Sequence, residues 1–148
     1  MSLSNTIKSI QKIMRQDSGV DGDAQRIGQL GWMLFLKIFS DLELETELED
    51  AKYKSPIPAK YRWESWADED VSGRNALTGE ELISFVNNEL FPNLKELDLS
   101  SLSAQARERG ILLVSVFDDA YNYMKKGTLL RQVINKLNQD IDYNSVET

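Results

Sequence analysis

The sequence predicts an all-α fold, an irregular multi-helix bundle with a long connector between its second and third main helices. Three observations carry this. Apolar residues recur at helical spacing in three separated stretches. The segment from Asp23 to about Asp50 projects as one continuous helix. The single run with strand composition, ILLVSVF at 111–117, has no second candidate strand to pair with. At 148 residues, 41% hydrophobic and 28% charged, the chain suits one domain over 1–148. A domain of that size buries about two thirds of the surface its unfolded form exposes.

The elements follow in order. Ser4 is placed to cap a first helix with Ile7, Ile10, Ile13 and Met14 on one side and Lys8, Lys12 and Arg15 on the other. DSGVDGD, residues 17–23, is rich in turn formers; its acids do not stand at calcium-loop positions, so it reads as a loop and cap. In the helix from Asp23, apolar groups from Ile27 to Phe39 fall on nearly every side, which predicts burial all round. Gly28 and Gly31 are expected to admit a neighbouring backbone. The acids that follow, Asp41, Glu43, Glu45, Glu47, Glu49 and Asp50, read as a solvated helix end or loop.

From Lys52 to Gly79 the pattern breaks at Pro56 and Pro58, and YRWESWADED has no period; this is the connector. Thr78 and Glu81 have capping-box spacing ahead of Leu82, Ile83, Phe85, Val86 and Leu90, and Pro92 is expected to end that helix. Ser100 to Arg109 reads as a short polar helix, and ILLVSVF with the following DDAYNYM as helix. Gly127 and Thr128 are expected to stop one helix and start another, striped by Leu130, Val133, Ile134, Leu137 and Ile141.

Composition excludes several chemistries. Without Cys there is no disulfide, thiolate metal site or Cys nucleophile, and a reducing, cytoplasmic location is expected. Without His the usual general base, the commonest zinc ligand and a Ser-His-Asp triad are gone. Adjacent Asp118 and Asp119 would point about 100° apart on a helix, which disfavours paired-carboxylate catalysis. No signal-peptide stretch and no bilayer-length apolar window are visible. The net charge of −7 argues against a wholly basic surface, yet residues 1–40 carry five basic residues against three acidic ones.

Three stretches, WMLFLKIFSD (32–41), IPAKYRWESW (57–66) and VFDDAYNYMKKGTLLRQVINKLNQDID (116–142), resemble the start of the modification subunit of type I restriction-modification systems. The resemblance implies an N-terminal helical domain of a subunit that continues into a Rossmann-like domain, binds S-adenosylmethionine and methylates adenine at N6. This chain lacks the parts that do so. Its only prolines are Pro56, Pro58 and Pro92, so there is no Pro-Pro adenine motif, and no Gly-x-Gly turn occurs. The chain alone is therefore expected to be no enzyme, with no catalytic, cofactor-binding or metal residues. The implied partners are the specificity subunit, a second modification subunit and double-stranded DNA, with no membrane. The basic ridge of Lys8, Lys12 and Arg15, extended by Arg26 and Lys37 if the first two helices pack side by side, is the candidate DNA contact. The competing expectation is a purely protein-protein module that docks through exposed aromatics near Trp63 and Trp66.

Overall fold

A computed structural model describes residues 3–68 and 77–141. The fold is all-α: α1 (Leu3–Met14), α2 (Asp23–Glu49), the one-turn α3 (Trp63–Trp66), α4 (Gly79–Phe85), α5 (Phe91–Lys95), α6 (Ala104–Asp119) and α7 (Gly127–Asp140). Among the described residues no strand forms. Ser4 lies inside α1 rather than capping it.

The 27-residue α2 is the axis of the bundle. Trp32, Met33, Leu36 and Phe39 are buried beneath it. Trp32, Phe91 and Phe117 meet edge to face, with ring centroids 4.9 Å, 6.1 Å and 5.2 Å apart, the arrangement the aromatic quadrupole favours. The helix is not buried all round: Ile27 is 66% exposed. α1 packs antiparallel on α7, with the Thr6 hydroxyl donating to Asp140 (3.0 Å) at one end and Asp17 meeting Lys126 at the other.

Pro92 does not end its helix. α4 runs through a π-turn at Val86–Leu90 into α5, which continues to Lys95. The wider turn comes just before the residue that cannot donate the N–H of a regular α-turn. ILLVSVF is helical, as expected, but it shares one helix with the polar stretch before it. That helix begins at Ala104 rather than Ser100, and Ser103 caps it by accepting from Ala106 N–H (3.2 Å). Only one of its faces is covered, that of Ala106, Gly110, Leu113 and Phe117.

The helix stops at Asp119, and residues 120–126 form no helix, so Gly127 starts α7 without ending a helix. Side chains take over the backbone pairing that helix would have supplied. Gln29 accepts from Tyr123 N–H (2.7 Å) and donates to Asn122 Oδ1 (2.9 Å). Asn122 in turn donates to Asn87 Oδ1 (2.9 Å).

The close backbone approaches lie elsewhere than at Gly28 and Gly31. A Cβ on Gly31 would meet nothing within 4 Å, and one on Gly28 only the Tyr123 ring. At Gly19 a Cβ would stand 1.9 Å from the Tyr123 carbonyl oxygen, and at Gly127 1.8 Å from that of Gly79.

Candidate functional site

Lys8 and Lys12 are exposed on α1, and Arg15 is exposed just past its end, where its N–H still bonds Gln11 O (3.0 Å). Two residues on stands Asp17, fully buried. One carboxylate oxygen accepts from Gly19 N–H (2.9 Å) and caps the 3-10 turn Ser18–Val20. The other accepts from both Lys125 and Lys126 N–H, each at 2.8 Å. Three backbone donors satisfy the buried charge. In doing so they hold the backbone of Lys125 and Lys126, whose side chains are exposed, against Asp17, two residues beyond Arg15. Sequence reasoning does not single out these two lysines, since more than 100 residues separate them from Asp17. The available signal is the KK pair at a helix start.

Arg26 does not extend the ridge. It is 7% exposed, donates to the Val20 (3.0 Å) and Asp21 (2.7 Å) carbonyls, and pairs with the Asp23 carboxylate. Its charge closes the loop between α1 and α2. Lys37, 6% exposed, pairs with Asp41 (3.2 Å).

The acidic run is only partly a solvated end. It lies on the last turns of α2, and Glu43 is fully buried. Its carboxylate accepts from the Tyr53 hydroxyl (2.8 Å), the Ser55 hydroxyl (2.6 Å) and the Arg109 guanidinium (2.6 Å). Glu47 pairs with Arg62 (2.8 Å), which also meets Glu64 (2.9 Å). Burial pushes the Glu64 and Asp68 carboxyls up, Glu64 against the opposing effect of Arg62.

Burial and the donated bond to Glu43 push the Tyr53 hydroxyl up to about 12. A group held protonated in the fold stabilises it below the unfolded value near 10 and loses that contribution as pH rises through 12. Stability followed by circular dichroism is therefore expected to fall between about pH 10 and 12, less steeply in Tyr53→Phe. An identical slope in the variant would place the alkaline transition elsewhere.

Trp63 and Trp66 are 1% and 2% exposed and cannot dock a partner. The Trp63 indole N–H donates to Asn138 (2.7 Å), its backbone N–H to the Ser40 hydroxyl (3.0 Å), and the two indoles meet at 5.2 Å. Up to residue 68 the connector lacks period because it is a strap over the core, with Trp63 and Trp66 facing inward; its residues 69–76 lie outside the described residues. Among the described residues no group of three or more carboxylates is arranged to hold a metal ion, and no helix is long and apolar enough to cross a membrane.

Comparison with known proteins agrees with this architecture. The family model described as the HsdM N-terminal domain matches residues 3–137. The chain is 55% identical over 145 residues to the type I restriction enzyme EcoEI methylase subunit of Escherichia coli, covering 98% of this chain and 28% of that subunit. It thus spans little more than a quarter of that relative's length. A crystal structure of a modification subunit assigned to a type I restriction enzyme of Vibrio vulnificus superposes with a TM-score of 0.79 at 35% identity, over 92% of this chain and 30% of the other. A structure addressing complex assembly and conformational transition of a type I restriction-modification system gives 0.73 at 29% identity, over 94% and 26%. The chain belongs to the HsdM N-terminal domain family, found in the methylase subunits of type I restriction-modification systems.

Proposed function

We propose that this chain is the noncatalytic helical part of a cytoplasmic, site-specific DNA adenine-N6 methyltransferase subunit, helping to assemble the subunits and closing on double-stranded DNA. Its partners are the specificity subunit and a second modification subunit. S-adenosylmethionine and methyl transfer belong to the remainder of such a subunit. The observation that supports DNA closure is the buried Asp17, which holds the backbone of Lys125 and Lys126 two residues beyond Arg15, the end of the exposed Lys8, Lys12 and Arg15 ridge. Exposed cations brought this close in the fold suit phosphates, which demand charge and position rather than base-specific chemistry. The overall charge of −7 keeps the isolated chain a weak DNA binder.

The test replaces all five by Gln in the assembled enzyme. The slope of log affinity against log salt is expected to shrink by about 0.9 for each phosphate that the variant no longer neutralises, equally on target and nontarget duplexes. Folding should shift by only about half a kcal/mol per exposed site. An unchanged salt slope would leave assembly as the domain's contribution and remove the DNA-binding role.

A further inference from the structure

A second surface, separate from the basic one, runs along α2 and α6. At 100° per residue, Ile27, Gly31, Leu34 and Ile38 fall within about 60° of one another, opposite the buried Trp32, Leu36, Phe39 and Glu43. Ile27 is 66% exposed, Gly31 is exposed, and Leu34 and Ile38 are half-buried. The neighbouring helix continues the strip. Phe35 meets Phe117 (ring centroids 6.5 Å apart) and Glu43 meets Arg109 (2.6 Å), so α6 runs antiparallel to α2. That register sets Leu112, 52% exposed, and the half-buried Val116 alongside residues 36–40. The strip is on the order of 20 Å long, the length of a helix of about four turns. At Gly31 the place a Cβ would take is open for 4 Å, a hole into which a partner's side chain can reach.

Acidic residues adjoin this strip, mostly beyond its Ile38 end. Glu45 and Glu49 on α2, with Glu108 and Asp119 on α6, are exposed, and none has an ion-pair partner among the described residues. Arg26, Lys37 and Arg109, cations on the same two helices, are already paired with Asp23, Asp41 and Glu43. A second copy of the same face would bring carboxylates against carboxylates, which is unfavourable. We infer that the α2–α6 face docks an amphipathic helix of another polypeptide, one whose apolar stripe is flanked by lysine or arginine. The docking is of the helix-in-groove kind, with apolar anchors at i, i+4, i+7 and i+11 on the receiving helix and charge selecting the partner. The inference is independent of the DNA contact proposed above.

The test uses two synthetic amphipathic peptides of about four turns. They share one leucine and alanine stripe, flanked by lysines in one peptide and by glutamates in the other. The 148-residue chain is expected to bind the lysine peptide, more weakly as salt is added, and to ignore the glutamate peptide. Ile27→Asn with Leu112→Asn, both at exposed positions, should weaken binding at least tenfold with an unchanged circular dichroism spectrum. Ile111→Asn, about 100° away from Leu112 on α6 and 57% exposed, should leave binding as it was. Glu45→Lys, Glu108→Lys and Asp119→Lys together should reverse the preference between the peptides. The inference is overturned by equal binding of both peptides, by loss on Ile111→Asn equal to that of the double variant, or by self-association of the chain that the double variant abolishes.

Discussion

Replacing Arg109 by Met is expected to cost about 3 kcal/mol, because it leaves the fully buried Glu43 carboxylate without its countercharge. The Met keeps most of the aliphatic packing, so the loss reports the charge. For a chain of this size that corresponds to a midpoint lowered by about 6–12 °C in thermal unfolding. The Tyr53 and Ser55 hydroxyls would still donate to Glu43, but two neutral bonds do not offset a desolvated charge. Adding Glu43→Gln to the Met variant should recover part of the loss, since the charge is then gone. A midpoint lowered by less than about 2 °C in the single variant would show that the pairing of Arg109 with Glu43 contributes little to stability.

The second large effect is expected at Gly127. Its backbone lies against the backbone of Gly79, where a Cβ would stand 1.8 Å from the carbonyl oxygen and 2.3 Å from the carbonyl carbon. No side chain is available to swing aside, so Gly127→Ala must part the first turns of α4 and α7, which pack on one another. The expected cost is about 3 kcal/mol, read from denaturant unfolding. Gly79→Ala provides the contrast. Its Cβ would enter open space, and only the positive φ of 59° opposes it, for about 1–2 kcal/mol. If the two variants were equally stable, the close approach at Gly127 would not exist.

Local signals in the sequence read well and long-range ones do not. The apolar stripes of α1 and α7 and the loop chemistry of residues 17–23 are legible, because periodicity and turn residues act over a few positions. Glu43 reads as solvated along with its acidic neighbours, since nothing near it in sequence shows that Arg109, 66 residues on, will cover it. Trp63 and Trp66 look exposed for the same reason: Ser40 and Asn138, the partners of Trp63, and Phe85, against which Trp66 packs, lie on other helices. Arg26 looks available for phosphate until the loop folds around it, and the backbone of Lys125 is held near Arg15 through Asp17. Pro92 reads as a stop signal, which holds for a regular α-turn and fails after a π-turn.

The pairing of α1 with α7 also sets an order of events during synthesis. The first helix leaves the ribosome with Ile10 and Met14 uncovered, and the surface that covers them comes from the last fifth of the chain. At about 5–20 residues per second, α1 waits on the order of ten seconds for its partner. Closure then links Thr6 to Asp140 and Asp17 to Lys126 across almost the whole chain, the kind of distant pairing that slows folding. A nascent chain halted before α7 would expose an amphipathic helix with basic residues on its polar side and a naked apolar stripe. Whatever shields that stripe in the interval, whether a chaperone or the rest of the growing domain, has to release it when residues 127–140 emerge.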